Sequence, residues 1–144
     1  MKRGERKRRE EEERKWMKIS QRKVDGWVEE IVEALGLGDW RIRVVVGPCP
    51  GDNLGDMGCT SAQPQYKSGD IWIDPKMHSS STELYSTLLH EMIHLVLSPM
   101  DEALVAMEGL LEDPVKSAVM GIWEFRLEEV TCSLEKVMLK FFAQ

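Results

Sequence analysis

Apolar residues recur along this chain with two different periods, and the changes of period mark out its elements. Val24, Trp27, Val28, Ile31, Val32 and Leu35 keep the 3.6-residue spacing of one helix face, predicting a helix over 20–36 that Gly36 and Gly38 stop. Trp40-Arg41-Ile42-Arg43-Val44-Val45-Val46 alternates at first and is rich in β-branched residues, so it reads as a strand ended by Gly47-Pro48. Residues 47–58 are turn chemistry throughout. A hairpin follows, with Cys59 to Gln63 as one arm, Pro64 to Gly69 as the turn and Asp70 to Asp74 as the second arm.

The helical period then returns at Leu84, Leu88, Leu89, Met92, Leu95 and Val96. Ser81 or Thr82, ahead of Glu83, is the expected start, and Ser98-Pro99 the expected stop. Residues 101–112 read as a short helix or helical loop. Asp113-Pro114 has the cap-then-proline order that opens a helix. The apolar stripe expected on that last helix is Trp123, Leu127, Val130, Leu134, Val137 and Phe141. Helices and a small sheet in this order predict an α+β fold: an N-terminal helix, a small antiparallel sheet of about three strands, a central helix and a long C-terminal helix.

Residues 1–18 differ from the rest in being almost entirely charged, and are expected to be a tail that is disordered or forms a lone helix. The folded domain is then 19–144. A basic arm touching nucleic acid is an alternative reading of the tail, but the block Glu10 to Glu13 offsets the basic residues, and the formal net charge of the chain is −6. An apolar fraction of 42% supports a core. No apolar run is long enough for a membrane span, and the N-terminus has no signal-peptide core. Three cysteines, Cys49, Cys59 and Cys132, without C-x-x-C spacing, fit a reducing compartment and hence a cytoplasmic location.

Chemistry concentrates in His90-Glu91-Met92-Ile93-His94, an H-E-x-x-H motif inside the central helix. Two histidines four residues apart share a helix face, and their ring nitrogens can bind one Zn²⁺. The glutamate between them is placed to take a proton from a water activated by the metal. Two of the three histidines in the chain lie in the motif, the third being His78. A catalytic zinc site takes three protein ligands and keeps one position open. The sequence after His94 lacks the further G-x-x-H that would supply a third histidine. Glutamates of the last helix remain: Glu124, Glu128, Glu129 and Glu135, and helical phase alone does not separate Glu124, Glu128 and Glu129.

The succession of helix, strand, hairpin, H-E-x-x-H helix and glutamate-bearing helix resembles the minimal zincin fold of gluzincin-type zinc metallopeptidases, such as the minigluzincins and the ImmA/IrrE peptidase domain. The resemblance spans roughly residues 24–140 and is specific at His90 to His94. It implies that the third zinc ligand is a glutamate followed by a small or aliphatic residue that packs, and Glu129-Val130 is similar to that stretch, with Glu128 second. The resemblance thus implies a zinc peptidase with ligands His90, His94 and Glu129 and with Glu91 as general base. An alternative is a zinc-containing domain acting in regulation or recognition with little proteolysis. The resemblance also implies an edge strand above the metal that pairs with an extended peptide substrate, assigned to Ile71-Trp72-Ile73. Tyr66, Tyr85 and His78 are the candidates for stabilising the oxyanion.

Overall fold

The computed structural model describes residues 3–142, and their side chains except those of 13–20 and 142. Its elements are α1 (Arg3–Leu35), β1 (Arg41–Val46), β2 (Gly58–Gln63), β3 (Ser68–Ile73), α2 (Ser81–Glu108) and α3 (Val115–Phe142). Single 3-10 turns lie at Gly51–Asn53, Pro64–Tyr66 and Pro75–Met77. The α+β class is as the sequence indicates. Among the described residues, no helix is long and apolar enough to cross a membrane.

Helix α1 runs without a break through the expected boundary at residue 18; residues 1 and 2 of the expected tail lie outside the described residues. Glu, Lys and Arg are good helix formers, and Arg6 pairs with Glu10 one turn on at 3.0 Å. The packed half of α1 buries Val24 and Ile31, with Trp27, Val28, Val32 and Leu35 beside them. Gly36 at φ +69° ends it, and the Leu37 amide donates back to the Val32 carbonyl.

The strands form a mixed sheet in the order β1-β3-β2. The expected antiparallel sheet is corrected in one pairing: β3 runs antiparallel to β2 but parallel to β1. The chain crosses from β1 to the far side through residues 47–57 before laying down β2, and β3 folds back into the gap between them. The turn that returns it needs the left-handed conformation of Lys67 at φ +48°. β3 is therefore the central strand, and the edge nearest α2 belongs to β2 rather than to Ile71-Trp72-Ile73. On β3, Gly69, Ile71 and Ile73 are buried against the helices. A Cβ at Gly69 would lie 2.5 Å from Leu95 of α2, so the glycine lets helix and sheet approach. Trp72 alternates onto the opposite face.

Helix α2 starts at Ser81, one of the two expected positions, and the Ser80 hydroxyl caps it by accepting from the Glu83 amide at 3.2 Å. It also continues through Pro99 to Glu108, where the sequence suggested a stop. Proline has no amide to give the carbonyl four residues back. That carbonyl, on Leu95, instead accepts from the buried Ser98 hydroxyl at 2.7 Å. Leu84, Leu88, Leu89, Met92, Ile93 and Leu95 form the centre of the core with Val24, Ile31, Ile71 and Ile73.

Helix α3 is turned away from its expected phase. Of the predicted stripe, Val130, Leu134, Val137 and Phe141 are exposed. Thr131 is fully buried instead, its hydroxyl donating to the Leu127 carbonyl at 2.8 Å. Met138 and Leu139 pack on the core, and the Trp123 indole donates to Asp101 of α2 at 2.9 Å.

Candidate active site

The facing sides of α2 and α3 bring His90, His94 and Glu128 together. His90 Nε2 lies 2.8 Å from Glu128 Oε1, and His94 Nε2 lies 3.4 Å from Glu128 Oε2. The two rings stand edge to face with centroids 4.9 Å apart, as i, i+4 spacing on a helix allows. Glu129, expected as the third ligand, points elsewhere: its carboxylate accepts from the Arg126 guanidinium at 3.0 and 3.2 Å on the outer face. Glu124 is exposed. The shift of phase that buries Thr131 is what exchanges Glu129 for Glu128.

Glu135 has a different task. Its Oε2 lies 2.8 Å from His90 Nδ1, and its Oε1 accepts from the Ser86 hydroxyl. A carboxylate only accepts, so His90 Nδ1 donates to Glu135, and the ring is held with Nε2 turned toward Glu128. The donor set therefore fits a bound divalent metal: two imidazole nitrogens and a carboxylate, with the first histidine oriented by a second carboxylate.

Glu91, 8% exposed, sits beside the histidines. Its Oε2 accepts from the Thr60 hydroxyl on β2. Burial pushes the Glu91 carboxyl above the usual carboxylate range and Glu128 adds to the rise, while the Thr60 hydrogen bond and the two histidines oppose it. Gly58, two residues before Thr60, allows this close approach, since a Cβ there would stand 2.9 Å from Thr87 and 3.2 Å from Glu91.

Two clefts meet at Glu91. One, of about 450 Å³, is lined by Thr60, Ala62, Glu91, His94, Leu97 and Leu127 among others. The other, of about 420 Å³, takes in Gly58, Thr87, His90, Glu91 and Glu135. Gly58, Thr60 and Ala62 alternate along one side of β2, so the edge strand borders both clefts.

The oxyanion candidates do not line these clefts. Tyr66 is exposed, Tyr85 stacks edge-on against Trp27, and His78 is clasped between the Asp74 carbonyl and Thr87 at 2.6 and 2.7 Å. The sequence reading did not single out Thr60, Ser86 or Cys132. Only Cys132 had a local signal, its i+4 spacing from Glu128. Comparison of the chain with protein-family models, with curated proteins and with solved structures finds no match.

Proposed function

We propose that this chain is a zinc-dependent metallopeptidase of zincin-like design, in which His90, His94 and Glu128 hold the ion and Glu91 is the general base. The observation that carries the reading is the convergence of two histidine Nε2 atoms on one carboxylate, beside a buried glutamate. Zinc held there would supply an activated water near neutral pH and polarise the carbonyl under attack.

The protein groups supply the rest. Glu91 takes the proton of the attacking water and passes it to the leaving amine. A carboxyl raised by burial is better matched to that exchange than an ordinary exposed glutamate. Thr60 fixes the carboxylate through one oxygen, leaving the other for the proton. Glu135 holds the His90 ring with Nε2 inward. The edge of β2 offers main-chain groups to an extended peptide laid along the two clefts, a mode that gives affinity with little demand on sequence.

The test is zinc content by elemental analysis, followed by hydrolysis of a mixed fluorogenic peptide set. Wild type is expected to bind one zinc per chain and to cleave. Glu91→Gln should keep the zinc and lose cleavage, and Glu128→Gln should lose the zinc. Well-folded wild type that takes up no zinc overturns the proposal, and so does cleavage that survives in Glu91→Gln.

A further inference from the structure

A catalytic zinc site keeps one position open, yet this site has a fourth protein donor within reach. Cys132 follows Glu128 by one helical turn on α3, so the two side chains share a face. Its sulfur lies 3.9 Å from Glu128 Oε1. Ligand atoms of His90, Glu128 and Cys132 all fall within 4.8 Å of one another, and His94 joins this group through Glu128, at 3.4 Å from its Oε2. Donor atoms this close could share one ion, and zinc would accept nitrogen, oxygen and sulfur donors together. The residue is half-buried on α3, and its thiol meets the same Glu128 carboxylate that the histidines approach.

We propose that Cys132 is a fourth ligand of this metal centre, closing it into a latent His₂-Glu-Cys site. The inference rests on the zinc reading above. In the exchange, the Cys132 thiol gives its proton to solvent, the sulfur donates an electron pair to the metal, and a water leaves the position. Nothing is oxidised or reduced. Four protein ligands make a structural type of zinc site, and withdrawal of the sulfur restores the open position that hydrolysis needs. Thiolate is also the softest donor in the set and a strong ligand for zinc. The chain is then expected to hold its metal tightly while working slowly, and replacing the sulfur should loosen the metal and free the site.

Cobalt(II) substitution separates this proposal from the metal centre itself. Visible d–d absorption reports cobalt in the site, and a near-ultraviolet sulfur-to-cobalt charge-transfer band reports a thiolate ligand. Wild type is expected to show both. Cys132→Ser and Cys132→Ala should lose the charge-transfer band and keep the visible absorption. The double variant Cys49→Ser/Cys59→Ser retains Cys132 as its one thiol and should keep both bands, which assigns the ligand even where Cys132 variants fold poorly. Visible bands without charge transfer in wild type, or charge transfer lost in the double variant, overturn the ligand role while leaving the metal centre standing. Absence of all cobalt absorption from folded wild type overturns both readings.

Discussion

At the scale of single residues, the site depends on groups that fix other groups. Glu135 does not reach toward Glu128 but holds His90 from behind, through Nδ1, and is itself held by Ser86. Partners of this kind typically account for tenfold to a hundredfold in metal affinity, so Glu135→Gln should weaken zinc binding by roughly that factor. Glu129→Gln, which disturbs only the exposed contact with Arg126, should leave it unchanged. Competition with a chromophoric chelator measures both, and equal affinities for the two variants would remove Glu135 from this role. Cys49 makes a different prediction. It is 1% exposed, and burial, with Cys59, Asp56 and Glu91 adding to the effect, pushes its thiol from 9.0 up to about 12. The folded state therefore favours the protonated form. Its contribution to stability is complete below the unfolded value of 9.0 and is lost as pH rises through about 12. Urea midpoints followed upward from neutral pH should fall more steeply for wild type than for Cys49→Ala, and parallel curves would contradict the assignment.

At the scale of elements, α2 shows how one side chain carries a helix through a proline. Ser98→Ala removes the donor to the buried Leu95 carbonyl and should cost about 1–3 kcal/mol, the usual penalty for an orphaned buried acceptor. Ser98→Ala/Pro99→Ala restores a main-chain amide at residue 99 and should recover most of that loss. Denaturant unfolding of the single and double variants decides it, since purely additive effects would mean that Ser98 does not stand in for the missing amide. The same element shows what can be read from sequence. The histidine pair was legible because i, i+4 spacing is local and holds for any helix. Which α3 carboxylate meets the histidines was not, because it depends on the rotation of α3 about its own axis, and one residue changes that by about 100°. Hydropathy favoured Trp123, Leu127, Val130, Leu134, Val137 and Phe141 as the packed stripe, but the last four are exposed, and Thr131, Glu135, Met138 and Leu139 are packed instead. A buried threonine and a glutamate bonded to a histidine carry no apolar signal, so the phase slipped and Glu129 was preferred to Glu128. Sheet order was hidden for a related reason. The β2–β3 hairpin is local, but the parallel pairing of β3 with β1 joins segments separated by the whole loop and hairpin.

At the scale of the whole molecule, the helices are held by unlike means. α1 and α2 sandwich apolar side chains against the sheet, with Val24, Ile31, Ile71, Ile73, Leu88 and Leu95 all fully buried. α3 leaves Ile122, Phe125, Val130, Leu134, Val137 and Phe141 exposed and meets α2 largely through polar contacts: Trp123 with Asp101, Glu135 with Ser86 and His90, and Glu128 with both histidines. Those contacts gather the carboxylates of Glu91, Glu128 and Glu135 around two imidazoles, an arrangement whose mutual repulsion a divalent cation relieves. A metal bridging α2 and α3 would therefore act as the chief clasp of the last helix. Free zinc at a thousand times its dissociation constant would add about 4 kcal/mol to stability by linkage alone. Chelation should remove that contribution unevenly. Amide hydrogen exchange is expected to accelerate along Val115–Phe142 when the metal is stripped, while β3 and the buried part of α2 keep their protection. Uniform acceleration over the chain would mean that the metal stabilises the fold as one cooperative unit, and no change at all would mean that α3 docks without it.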